Sequence, residues 1–158
     1  MVRFDIIGLD GAILCALIGA IVLTSFRLMP RIWLRDLPED IQNMAPAISP
    51  AEIRIANRIG LAVVGILLVG LIASTLRVGF ENGFWLAALH AYLVFQLFNL
   101  FDLVVLDWGI LLAIDPENPP IEGTERADGW SDYGFHARKS LKGVFVGVPS
   151  AGSAAGLA

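Results

Sequence analysis

Three stretches of this chain are each long and apolar enough to cross a hydrocarbon layer, and no other feature limits its fold so much. They fall at residues 6–26, 58–77 and 84–112. Each is close to the roughly 20 residues that an α-helix needs to span a bilayer core. A backbone in lipid must satisfy its own hydrogen bonds, so such segments are helices. Composition agrees: 56% of the residues are hydrophobic and only 16% charged, against about a quarter charged in a soluble domain. A weaker fourth stretch, residues 141–157, is rich in Ala and Gly and contains Pro149. The expectation is an all-α integral membrane bundle of about four transmembrane helices in a single domain. Two connections, residues 27–57 and 115–140, join them on one side.

The first span is expected to be retained. Asp5 and Asp10 flank it where a cleavable signal would be basic, and its apolar run continues to about Leu23. Gly11, Cys15 and Gly19 form a stripe of small residues at four-residue spacing, the kind of face on which helices approach closely in lipid. Gly143, Gly147, Ala151 and Ala155 repeat the pattern near the end of the chain. These faces suit a neighbouring helix, a second copy, or a partner membrane subunit. The lone Cys15 reads as a small packing residue.

Helix starts and stops are marked locally. Ser49-Pro50-Ala51-Glu52 combines an N-cap serine, a proline at the first helical position and a glutamate three residues after the cap. That is a capping box, so the second long helix is expected to run from near Pro50 to about Leu76. Asn82 is the expected cap of the third span, and Asp115-Pro116 its terminator.

Charge sets the orientation. Nine bases (Arg27, Arg31, Arg35, Arg54, Arg58, Arg126, Arg138, Lys139 and Lys142) lie in the two main connections or in the span ends beside them, against Arg3 and Arg77 on the other side. The positive-inside rule puts the connections in the cytoplasm and both termini outside, in a bacterial inner membrane. No basic run is interleaved with aromatics, so nucleic acid is not an expected partner; the lipid bilayer is.

The third span carries the residues that anchoring does not explain. A charge well inside a bilayer costs about 3 kcal/mol on insertion scales, yet Tyr92, Gln96, Asn99, Asp102 and Asp107 all lie on it. On a regular helix Tyr92, Gln96, Asn99 and Asp107 share one arc, Asp102 sits at its edge, and His90 faces away. Arg54 and Arg58 are at a matching depth, so an ion-pair network of Arg54, Arg58, Asp102 and Asp107 is expected. His90 reads as a histidine hydrogen-bonded between helices or facing headgroups. His136 follows Asp132 in an acid-bearing loop without a defined metal pattern, so no metal site is assigned and no cofactor is implied. Nucleophile elbows, phosphate loops and zincin helices are absent from the sequence.

Glu122-Gly123-Thr124-Glu125, Gly129 through His136 (GWSDYGFH), Leu141-Lys142-Gly143, and the span segment from Asn99 to Trp108 resemble an uncharacterised family of small few-helix bacterial membrane proteins. The resemblance covers about the last third of the chain. It implies a helical membrane fold and no activity, and it adds Glu125, Asp132, Tyr133 and His136 to the residues of interest. Two functions follow as expectations. The favoured one is a structural or accessory bundle associating through its small-residue faces. The other is a small oligomeric transporter, channel or membrane enzyme that uses the polar cluster on the third span. An inner-half cavity lined by Gln96, Asn99 and Asp102 would favour the latter.

Overall fold

A computed structural model describes residues 2–80 and 83–157, with backbone alone from residue 146 onward. The described residues are all helical, without strands. Helix α1 spans Phe4–Leu28, α2 Glu39–Met44, α3 Pro50–Val78, α4 Phe84–Phe101, α5 Trp108–Ala113 and α6 Tyr133–Leu157. Three helical stretches are long and apolar enough to cross a membrane: Phe4–Leu28, Pro50–Val78 and the continuous run Phe84–Ala113.

The capping box at the head of α3 is complete. Ser49 Oγ accepts from the Glu52 N–H at 3.2 Å, and the Glu52 carboxylate accepts from the Ser49 N–H at 2.7 Å. Glu52 also accepts from Arg31 Nε at 2.7 Å, which ties the first connection to this helix start. Within that connection Pro30–Asp36 forms a 3-10 helix before α2. The expected cap Asn82 lies outside the described residues, and Gly83 precedes the first turn of α4.

Helices α3 and α4 each touch the other and both α1 and α6. Glycines let them close. A Cβ on Gly11 would collide with Leu97, on Gly19 with the Phe101 ring, and on Gly70 with Leu14. The small-residue stripe of α1 is therefore filled by α4 of the same chain. Gly60 and Gly65, on α3, have open space before them.

Two sequence expectations need correction. The last helix begins at Tyr133 and not near residue 141, and it continues through Pro149. Its start is set by Asp132, whose Oδ1 accepts from the Phe135 N–H at 2.8 Å as an N-cap does. Pro149 removes one backbone hydrogen bond without ending the helix. The side chains at Ala151 and Ala155, like the stretch around Gly147, lie beyond the residues whose side chains are described. The third span, expected as one regular helix, carries a π-turn at Asp102–Asp107, marked by the Trp108 N–H donating to Leu103 O.

The end of the bundle that carries both connections has its own core. Leu34, Leu37, Ile41, Leu111, Ile121, Ala127 and Trp130 are buried together there. Trp130 Nε1 donates to Thr124 O at 3.1 Å and shares Thr124 Oγ1 at 3.2 Å, so the 114–132 loop folds around its indole.

Candidate functional site

The π-turn is what assembles the site. On a regular helix, at about 100° per residue, positions 102 and 107 would point about 140° apart. A π-turn closes its hydrogen bonds from i to i+5, which brings residues five apart into register. Asp102 and Asp107 accordingly both line one half-enclosed cavity of about 280 Å³ at the loop end of the bundle. Asn99, one turn earlier, lines it too and donates from Nδ2 to Ser140 O on α6 at 3.3 Å. Gly143 makes that approach feasible, because a Cβ there would stand 2.6 Å from Asn99 Oδ1.

Helix α6 supplies the opposite wall. His136 is 4% exposed, and its Nδ1 lies 3.1 Å from Asp107 Oδ1. The contact is electrostatic, off the line of a straight hydrogen bond, and neither ring nitrogen has a hydrogen-bond partner among the described residues. Phe135 packs edge-on against the imidazole with ring centroids 5.1 Å apart. At the rim, Lys139 Nζ bonds Asp36 Oδ1 at 2.9 Å with both side chains about half exposed. No described side chain forms an ion pair with Asp102. Aromatic rings from Phe26, Trp33, Phe98 and Trp130 complete much of the apolar wall.

The expected ion-pair network is not formed. Arg54 and Arg58 are exposed on α3 and pair with neither Asp102 nor Asp107. The expectation matched them by depth along the helix, but the two arginines are exposed on α3, turned away from the bundle. Asp107 has His136 in their place. Gln96 lies outside the cavity lining, with its Nε2 buried and unpartnered. Asp132 serves as the α6 cap, and Arg138 reaches it at 3.6 Å. Tyr133 stacks edge-on with Trp108 at 6.1 Å, and its carbonyl accepts from the Trp108 indole at 3.2 Å. Glu125 is exposed and accepts from the Gly123 N–H at 3.1 Å; its own backbone N–H, and then that of Gly123, hold its carboxylate below the usual range. Among the described residues, no group of three or more His, Cys, Asp or Glu side chains could hold a metal ion.

Two polar contacts lie at the far end of the bundle, and the sequence reading named neither pair. Arg77 at the end of α3 pairs with Asp10 of α1. Consecutive antiparallel helices put the start of one beside the end of the next, so this pair was findable from spacing alone. Deeper in, Ser74 Oγ and His90 Nε2 share a hydrogen bond of 2.8 Å, with each residue 2% exposed. That is the interhelical role anticipated for His90.

No family model matches the chain, and neither the curated proteins nor the solved structures contain a match.

Proposed function

We propose that this chain is a polytopic membrane protein whose loop-end cavity is a ligand site, of the kind used by a small transporter, channel or membrane enzyme. The observation that carries this reading is the cavity itself. A bundle built only to pack would fill such a space or pair every charge in it, because unpaired polar groups in a low-dielectric interior are costly. Here Asp102 and the His136 ring stand in the wall without hydrogen-bond partners among the described residues. The structural alternative loses part of its support as well, since the Gly stripe of α1 is consumed by contacts within the chain. Gly60 and Gly65 leave α3 as the face for a second copy or a partner subunit, which a unit this small needs if it transports.

In this reading α6 is the fourth span, the two connections face the cytoplasm of a bacterial cell, and both termini lie outside. The cavity then sits in the inner half of the membrane. Thiol labelling tests both points. In a Cys15→Ala background, Ser140→Cys in the cavity wall and Met44→Cys in the first connection should react with an impermeant maleimide in inside-out vesicles only. Labelling at residue 44 with none at residue 140 would mean a closed, dry interior, and the structural reading would replace this one.

A further inference from the structure

The fold leaves Arg54 and Arg58 without an acid. Both are exposed on α3, and neither forms an ion pair among the described residues. Glu52, the acid on the same helix, is taken by Arg31 and by the Ser49 N–H. At about 100° per residue, Arg54, Arg58, Ala62, Gly65 and Val69 fall within one arc of about 80° on α3. The last three of these line an open groove of about 580 Å³ between α1 and α3, walled on the α1 side by Ile13, Leu14 and Leu17. Its lining is apolar except for Asp10, Ser74 and Arg77 at the far end. Those groups have partners: Arg77 pairs with Asp10, and Ser74 with His90. The groove therefore leads from an end whose charges are matched to an end where two guanidiniums are not.

Its dimensions suit one leaflet. From Arg58 to Val69 the helix rises about 16 Å at about 1.5 Å per residue, and half of a hydrocarbon core of about 30 Å is about 15 Å. A Cβ on Gly65 would meet nothing within 4 Å, so the groove is open at that depth. With the long helices in lipid, an acyl chain lying here brings its headgroup to Arg54 and Arg58. Guanidinium groups hold phosphate oxygens through paired N–H donors. A zwitterionic headgroup carries its own ammonium to the same place, and an anionic one does not. A second copy suits this arc poorly. Closed twofold association keeps both copies at one depth, so it would set two Arg54 and two Arg58 side chains against each other. Gly60, about 140° around the helix from Gly65, also has open space before it and keeps a separate face for a protein neighbour.

We propose that the α1–α3 groove holds an anionic phospholipid of the leaflet next to the two connections, with its phosphate on Arg54 and Arg58 and one acyl chain along Ala62, Gly65 and Val69. This rests on the membrane placement above and not on the loop-end cavity. The test is native mass spectrometry of the full chain in mild detergent, titrated with phosphatidylglycerol, with phosphatidylcholine of the same chains, and with glycerol phosphate. Phosphatidylglycerol should bind about tenfold more tightly than phosphatidylcholine, the worth of one charge-assisted hydrogen bond. Arg54→Gln with Arg58→Gln should erase that preference, whereas Arg126→Gln with Lys142→Gln, which removes the same charge elsewhere, should keep it. Gly65→Leu, which fills the groove without meeting a neighbour, should weaken phosphatidylglycerol about tenfold. Equal binding of the two lipids, or a preference that survives the loss of both arginines, overturns the proposal. Glycerol phosphate binding as tightly as the lipid makes the site one for a free phosphate ester and overturns it too. So does a dimer or an acidic protein that stays on this face in excess phosphatidylglycerol. If the double arginine variant does not fold, the lipid comparison on the native chain and Gly65→Leu decide the question. Any of these failures in a chain that stays in membranes through an alkaline carbonate wash overturns the lipid site alone. Release by that wash removes the membrane placement as well.

Discussion

Replacing Ser74 with alanine removes the Oγ that meets His90 Nε2 at 2.8 Å between α3 and α4. Both residues are buried, so water cannot substitute at either end. His90 Nδ1 already has no partner among the described residues, and the substitution leaves both ring nitrogens without one. Hydrogen bonds between membrane helices average about 0.6 kcal/mol and reach about 1.7. Orphaning a buried polar group costs about 1–3 kcal/mol. The second effect dominates, so Ser74→Ala should destabilise by about 1–2 kcal/mol. His90→Leu in the Ser74→Ala background should restore much of the loss, because removing both partners of a bond is close to neutral. Unfolding in mixed micelles with rising dodecyl sulfate gives the three free energies and the coupling. Single losses that add without coupling would refute this account of the pair.

Other expectations concern the loop end. Gly129→Ala would put a Cβ 2.8 Å from Pro38 Cβ and 3.0 Å from Ile41 Cδ1, where Gly129 N also donates to Asp40 Oδ2 at 2.7 Å. It should cost about 1–3 kcal/mol by overpacking and speed proteolysis within residues 114–132. At the exposed turn after α5, Asn118 and the Glu117 N–H hold the Asp115 carboxylate below the 3.8 of a free side chain. A depressed value means that the contact stabilises the turn above the unfolded pKa and is lost as pH falls through the folded one. Carboxyl NMR should show a midpoint under 3.8 that moves back up in Asn118→Ala.

The long helices could be read in the sequence because apolar length is a property of composition, needing no knowledge of partners. The start of α3 was legible for a different reason: its capping box is complete within four residues. The start of α6 carried the same kind of signal at Asp132, but the turn after it holds Gly134 and polar side chains, so no apolar period confirmed it. In the site, Asn99, Asp102, Asp107 and His136 stood out as polar residues in or beside an apolar span. Their pairing did not. Arg54 and Arg58 were matched to the aspartates by depth, yet α3 is apolar nearly all round and gives no sign of which face turns inward. Nothing in Asp-Leu-Val-Val-Leu-Asp distinguishes a π-turn from an ordinary one, so the meeting of its two carboxylates could not be read from a regular helix.

The buried cluster around Trp130, Ile121 and Ile41 has a consequence for how the molecule comes apart. With the long helices placed in lipid as proposed, that cluster packs between loops on the aqueous side, so it is held by expulsion of water. The helices are held by close packing and hydrogen bonds against a solvent as oily as they are. One chain then answers to two solvents. Urea should open the loop end first and leave the helices associated, while a harsh detergent should part the helices by a separate transition. Between those transitions lies a state with its spans intact and the floor of its cavity removed, because Trp130 and Leu37 belong both to the cluster and to the cavity wall.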